Sequence, residues 1–216
     1  SPWAGVDGGS SPATPALAQL GDTLYMAVQG NSTNSIYWSS SNDGGSSWAD
    51  WQALPSSMTS TKPPSLAAFD GTLYLSYLGD GNNDINITQL DAATNTWTSQ
   101  YQIPYSGGTQ SAEQASLVTE TVNGSEQLAV YYIATNDSSD LLRTASSDPS
   151  SSSSWSDQIS VDYGNGAATQ TASGPLAVTS NNGQTVIAYQ GGTVSNRSNE
   201  IYLATSSSPA NSSSWS

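Results

Sequence analysis

Four tryptophans recur along the chain after Ser-rich polar runs, and their spacing sets the architecture. Trp48, Trp97, Trp155 and Trp215 lie 49, 58 and 60 residues apart. Each ends a stretch of short segments with apolar residues at alternate positions, such as "TPALAQLGDTLYMAVQG" and "PPSLAAFDGTLYLSYLGDG", separated by Gly, Asn, Asp or Ser. Alternation over a few residues is typical of β-strands, and these separators are turn formers. The pattern predicts four copies of one antiparallel sheet.

The four copies are predicted to form one all-β domain over residues 1–216, with repeats at 14–62, 63–113, 114–173 and 174–216. The fourth copy stops at Trp215, early in its last strand, and residues 1–13 resemble the segments after the tryptophan in other copies. We therefore predict a β-propeller of four-stranded antiparallel blades. Its ring would be closed by the N-terminal strand, with Trp3 to Val6 beside Glu200 to Ser206, which removes exposed sheet edges.

Three alternatives to this closed ring remain open. The four sheets could stack openly, or they could form part of a larger ring. They could also be half of a homodimer. No stretch shows a sustained period of 3.6 residues, so no helix is predicted.

The run "SSSNDGGSSWADW", residues 39–51, could be a metal loop, a catalytic acid on a turn, or a hairpin. The later copies, "AATNTW", "SDPSSSSSW" and "SSPANSSSW", lose the Asp or the Gly but keep the tryptophan. That decay favours a hairpin in which Asp43 caps its own turn and Gly supplies a positive φ.

Residues 41–48 fit the pattern S-x-D-x-G-x-x-W, which resembles the Asp-box of sialidase-like β-propellers. The wider register "LYMAVQG… IYWSSS…DGGSSW" also resembles repeats of fungal and bacterial propeller lectins. The resemblance implies a propeller that binds carbohydrate. Sialidases hold the substrate carboxylate with three arginines, whereas this chain has only Arg143 and Arg197, so sialidase activity is not expected.

Composition restricts the partners, metals and cofactors that can be expected. With 17 Asp plus Glu, 3 Lys plus Arg and no His, the net charge is −14, which argues against nucleic acid as a partner. No apolar run reaches the length of a membrane span. The chain has no Cys, and "DGNND" lacks the spacing of a calcium loop, so no metal or cofactor is expected. Six N-x-S/T sequons weakly favour an extracellular, secreted protein, with the cytoplasm as the alternative.

Candidate ligand residues follow from the strand order. Loops between second and third strands share a face with the linkers between blades. Acidic residues precede three of the third strands, and aromatic residues lie in the linkers. Their repetition around a ring favours binding or turn capping over catalysis, which needs carboxyls in different environments. The predicted ligand-binding residues are Asp84, Asp140, Glu200, Arg197, Tyr105, Tyr163, Trp3 and Trp51.

The function predicted from these residues is a lectin with several shallow, quasi-equivalent sites for neutral glycans or glycoproteins. An aromatic ring beside amides and carboxylates suits the faces and hydroxyls of a sugar. The protein is predicted not to be an enzyme. The alternatives are a glycoside-processing enzyme, an accessory module of one, and a protein-interaction propeller.

Overall fold

The computed structural model describes residues 5–31, 33–104, 110–135, 140–162, 172, 174, 176–193 and 196–216. Four antiparallel blades are arranged as a four-blade β-propeller, which confirms the predicted fold class.

Blade 1 contains β1 (Ala16–Leu20), β2 (Thr23–Gln29), β3 (Ile36–Ser41) and β4 (Gln52–Ala53). Blade 2 contains β5 (Ser65–Phe69), β6 (Thr72–Leu78), β7 (Ile85–Asp91) and β8 (Thr96–Gln102). Blade 3 contains β9 (Ser116–Val122), β10 (Ser125–Ile133), β11 (Leu141–Ser146) and β12 (Ile159–Ser160). Blade 4 contains β13 (Ala177–Asn181), β14 (Gln184–Thr193) and β15 (Asn196–Ser206).

Helical structure in the described residues is limited to two single turns of 3-10 helix, Ser152–Ser154 and Ser212–Ser214. Each turn directly precedes an anchor tryptophan, Trp155 or Trp215. None of the described helical segments has the length and hydropathy needed to span a membrane.

Two-residue turns join the first two strands of blades 2, 3 and 4. They read Asp70-Gly71, Asn123-Gly124 and Asn182-Gly183, and both residues of each pair have a positive φ. This is the backbone of a hairpin turn whose twist matches that of the strands, and Asn-Gly and Asp-Gly adopt it at little cost. These dipeptides therefore fix the register of the inner strands.

The core of the described residues consists of three clusters, one at each junction between consecutive blades. The first residue of the third strand, Ile36, Ile85 or Leu141, is fully buried against the next blade. The anchor tryptophans of blades 2 to 4 pack in these same clusters, against the preceding blade. The inner strands β1, β5, β9 and β13 lie next to one another in that order.

The N-terminal segment differs from the predicted closing strand. Residues 5–15 form turns rather than a strand, with Gly9 N–H donating to the carbonyl of Val6 at 3.0 Å. Gly8 has a positive φ, and Pro12 and Pro15 lack an N–H, which explains why this segment does not extend a sheet. The segment lies against Trp51 of blade 1, and β15 instead pairs at Thr205 with Ser216. Residues 1–4, including Trp3, lie outside the described residues.

Candidate functional site

One face of the propeller gathers the loops between second and third strands and the linkers between blades. Isolated backbone bridges join Ser35 to Thr59 and Asp84 to Gln110. Each bridge ties the residue before a third strand to the linker that comes after the same blade. This is the arrangement that the strand order predicts.

Asp84 uses its carboxylate to hold this face together. It accepts hydrogen bonds from the Asn82 side chain at 2.6 Å and from Gln110 Nε2 at 3.2 Å. The neighbouring Asp80 accepts one from Asn34 of blade 1 at 2.8 Å. These contacts tie loop to linker and blade to blade, which is the structural role that the sequence left open for such carboxylates.

The other two predicted carboxylates have different surroundings. Asp140 is half-buried, and its main-chain carbonyl accepts the Ala134 N–H at 2.9 Å. Glu200 is exposed and accepts a hydrogen bond from the Tyr202 hydroxyl, which raises the pKa of Tyr202. Equivalent positions in the repeat therefore do not have equivalent environments.

The structure does not describe the side chains of four of the predicted ligand residues. Trp3, Tyr105 and Tyr163 lie outside the described residues. Arg197 pairs with Gly192 in the β14–β15 hairpin, and its side chain is outside the described part of the chain.

Among the predicted ligand residues whose side chains the structure describes, Trp51 lines a cavity. The cavity has a volume of about 230 Å³ and lies at the loop between β2 and β3 of blade 1. It is lined by Gly8, Ser10, Val28, Gly30, Asn31, Thr33, Tyr37 and Trp51. A second cavity of about 270 Å³ shares Ser10, Val28 and Trp51 and extends beneath the N-terminal segment.

The indole of Trp51 is held by a segment far away in sequence. Its Nε1–H donates to the carbonyl of Asp7 at 3.0 Å. A Cβ added at Gly9 would lie 3.1 Å from the Val6 carbonyl oxygen and 3.2 Å from the indole, so glycine permits this close approach. The N-terminal turn therefore fixes the orientation of the ring.

The opposite wall of the cavity depends on Gly30. A Cβ there would lie 2.8 Å from both the Thr33 hydroxyl and the ring of Tyr37, so the wall would have to move apart. Tyr37 alternates with the buried Ile36 and Trp38 along β3, which directs its ring away from the core. This alternation was the signal in the sequence that could have identified Tyr37.

The cavity combines two aromatic rings with hydroxyl and amide groups, and no charged side chain is among its lining residues. Concave sites of this kind bind small molecules through apolar contact plus a few oriented polar groups. An indole face beside Asn31, Thr33 and Ser10 suits a neutral molecule with several hydroxyls.

Asp43 lies on the hairpin between β3 and β4 and bonds within its own turn. Its carboxylate accepts the Ser47 hydroxyl at 2.6 Å, the Ser47 N–H at 2.9 Å and the Ser41 hydroxyl at 2.8 Å. Gly44 and Gly45 both have a positive φ. No group of three potential metal-binding side chains occurs among the residues that the structure describes. These contacts support turn capping as the role of Asp43.

The stability that Asp43 provides is expected to depend on pH. Hydrogen bonds from Ser47 and Ser41 lower its pKa to about 2. Because the pKa is lower in the folded state, this stabilisation is present above the ordinary Asp value of about 4 and is lost as the pH falls towards about 2. Thermal unfolding of wild type and Asp43→Asn should therefore differ at about pH 5 and converge near about pH 2. A difference that stayed constant over this range would contradict the assignment.

Comparisons with solved structures find folds similar to this one in glycoside hydrolases and in a lectin. No family model and no curated protein matches the chain. Among solved structures, a family 117 glycoside hydrolase of Zobellia galactanivorans matches over 98% of this chain and 72% of its own, with 12% identity and a TM-score of 0.62. An exo-beta-1,3-galactanase from Phanerochaete chrysosporium with galactose covers 96% of this chain, with 15% identity and a TM-score of 0.64, and the chain spans 49% of it. A fucose-specific lectin from Aleuria aurantia covers 94% of this chain, with 16% identity and a TM-score of 0.62, and the chain spans 60% of it.

These matches correct two predictions. The prediction that the protein is not an enzyme is contradicted, because several similar structures are glycoside hydrolases. That prediction rested on the repetition of the acidic positions, whereas the structure gives Asp84, Asp140 and Glu200 different environments. The propeller part of the sequence resemblance is confirmed, but a specific Asp-box relationship to sialidases is not supported. At this level of identity the comparisons establish the fold alone.

Proposed function

We propose that this protein binds neutral carbohydrate, with the cavity at Trp51 as a principal site. The observation that carries the proposal is the pairing of the Trp51 and Tyr37 rings with hydroxyl and amide groups in one uncharged cavity. A sugar presents a C–H face to an aromatic ring and hydroxyls to polar groups, which matches this lining. The similar structures support the proposal because they include glycoside hydrolases and a fucose-specific lectin.

The fuller form of this proposal is a secreted, multivalent lectin for neutral glycans or glycoproteins. Further shallow sites would lie on the loop face near Asp84, Asp140 and Glu200. The sequence predicts that Arg197, Tyr105 and Tyr163 belong to the same loops and linkers. Several weak sites acting together raise overall affinity without any new contact. The net charge of −14 would disfavour sialylated or sulfated glycans, with a penalty that added salt reduces.

Replacing Trp51 with Ala is expected to weaken binding of neutral sugars. Burying an aromatic side chain against a ligand contributes about 1.5–3 kcal/mol, so the dissociation constant should rise about tenfold to a hundredfold. The sugar is first chosen from a glycan array, and affinity is then measured by isothermal titration calorimetry.

Trp48→Ala is the matched control. Trp48 lies three residues before Trp51 and is likewise half-buried, but it does not line either cavity. Its replacement should leave sugar affinity unchanged. Equal losses in the two variants would show that the effect comes from the hairpin as a whole and would contradict a site at Trp51.

Hydrolysis of a glycoside is the second candidate function. It is favoured by the position of Glu113, which lies in the linker leading into the inner strand β9 and whose side chain is 10% exposed. Lys62 Nζ lies 2.9 Å from this carboxylate, in the linker that leads into the neighbouring inner strand β5. Glycoside hydrolysis uses a pair of carboxyl groups, and Asp84 is a further carboxylate on the loop face of the propeller.

A panel of aryl glycosides separates the two functions. Release of the aryl group that disappears in Glu113→Gln or Asp84→Asn, while both variants still bind sugar, would establish a hydrolase. Sugar binding at Trp51 without release of any aryl group would favour the lectin. No binding and no turnover across both panels would contradict a carbohydrate function.

A further inference from the structure

The three described junctions follow one rule of burial. At each junction, the next blade covers the face of the third strand that points towards it. Blade 2 covers Ile36, blade 3 covers Ile85 and blade 4 covers Leu141, and each of these residues has 0% exposure. The anchor tryptophan of that next blade packs into the same cluster. We call the covered face of a blade, which contains the first residue of its third strand, the leading face. The face of the next blade that covers it is the trailing face. The apolar leading face of one blade therefore requires the trailing face of another blade.

The leading face of blade 4 is exposed at its described residues. Ile201 occupies the register of Ile36, Ile85 and Leu141, at the start of the repeated pattern in the third strand, and is 71% exposed. Leu203, two residues on and on the same face, is 65% exposed, whereas the equivalent Ile87 of blade 2 is fully buried. Along the outer edge of β15, the described residues show backbone pairing with a later segment only at Thr205.

Blade 1 has the complementary trailing face. Leu17 on the inner strand β1 is 58% exposed, and its neighbour across the sheet is Met26. Trp48, the anchor of blade 1, is only half-buried, whereas Trp97, Trp155 and Trp215 are buried against a preceding blade. The N-terminal segment covers part of this face, over Met26 and Val28, and leaves Leu17 exposed.

We propose that the leading face of blade 4 docks onto the trailing face of blade 1 in a second copy of this chain. The interface would be head-to-tail, with Ile201 and Leu203 of one copy against Leu17 and Trp48 of the other. Two such contacts close a ring of eight blades, within the four to eight that propellers contain. A second copy is favoured because one chain carries both halves of a junction, yet the structure leaves them exposed to solvent. This proposal is independent of sugar binding.

The oligomeric state in solution tests the interface. Sedimentation velocity over a range of concentrations should give about twice the chain mass of 22.3 kDa for wild type. Ile201→Glu with Leu203→Glu places two like charges in each apolar contact and should give the single-chain mass. Ala92→Glu with Ala93→Glu, on the exposed β7–β8 hairpin, adds the same charge away from the interface and should leave the dimer intact.

Engineered cysteines test which molecule covers the leading face of blade 4, because the natural chain has no cysteine. A mixture of Leu17→Cys and Leu203→Cys proteins should form a disulfide-linked pair of one copy of each, at twice the chain mass. The double variant, Leu17→Cys with Leu203→Cys, should also link into a dimer. A disulfide within one chain, at the single-chain mass, would show that the ring closes on itself. A wild-type protein that keeps the single-chain mass at all concentrations would show that another partner covers these faces. Either result overturns the proposal.

Discussion

Replacing Arg143 with Met is expected to destabilise the protein by about 3–5 kcal/mol, because it leaves a buried carboxylate without its partner. Glu120 and Arg143 are 1% and 2% exposed and form an ion pair on the face of blade 3 that meets blade 4. Arg143 Nε lies 2.8 Å from Glu120 Oε1. The free energy of unfolding from urea denaturation measures the loss.

The remaining contacts of Glu120 explain why its charge is retained in the core. Its Oε2 accepts hydrogen bonds from the Tyr131 hydroxyl at 2.8 Å and from Thr185 of blade 4 at 3.1 Å. Burial, together with the negative charge of Glu120, raises the pKa of Tyr131 well above its ordinary value, so the phenol remains a donor. The network thus joins two blades through groups that are all satisfied.

A second substitution provides the control for this pair. Glu120→Gln combined with Arg143→Met removes both charges and keeps an acceptor for Tyr131 and Thr185. This double variant should recover much of the lost stability, because no unpaired charge is buried. A single Arg143→Met variant that lost no more than about 1 kcal/mol would contradict the role assigned to the ion pair.

Replacing Trp215 with Ala is expected to cost about 3–5 kcal/mol, the range for removing a fully buried aromatic side chain. Trp215 is 1% exposed and packs edge-on against Tyr131, with ring centroids 5.8 Å apart. Because it anchors blade 4 on blade 3, its loss should also expose the apolar junction. Thermal and urea unfolding followed by near-ultraviolet circular dichroism would report both effects.

Two further variants test this explanation of Trp215. Trp215→Phe should cost less, because it keeps a ring and removes an indole N–H that has no hydrogen-bond partner among the described residues. Measured in the Ile201→Glu with Leu203→Glu background, which keeps the chain single, Trp48→Ala should also cost less, since the equivalent tryptophan of blade 1 is only half-buried. Equal losses at positions 48 and 215 would show that the anchors do not act through burial against the preceding blade.

The fold could be predicted because each local signal agrees with its neighbours. Alternating apolar residues, Asn-Gly and Asp-Gly turns and recurring tryptophans all specify short antiparallel strands, and the structure has them. The closing strand was inferred from the unfinished fourth copy and from the resemblance of residues 1–13 to the segments after the tryptophan in other copies. In that segment the turn from Val6 to Gly9, with a positive φ at Gly8, outweighs any similarity to a fourth strand.

The site was harder to predict because it depends on contacts between distant residues. Trp51 was identified as an aromatic residue that the core does not need, but its cavity forms only when a turn 44 residues away meets the indole. The repeat also suggested that Asp84 and Glu200 are equivalent, whereas one bonds a linker and the other a tyrosine on its own strand. Arg143, one of only two arginines, is a core residue because Glu120 lies beside it in the folded sheet.

Indole N–H resonances in a nitrogen-15 correlation spectrum test the proposed carbohydrate site most directly. The chain has seven tryptophans, and the Trp51 resonance can be assigned by its loss in Trp51→Phe. On titration with the neutral sugar selected by the array, the Trp51 resonance should move and saturate, while that of Trp48 stays in place. Saturating shifts confined to other indoles, or no shift at sugar concentrations that saturate binding, would contradict the site at Trp51.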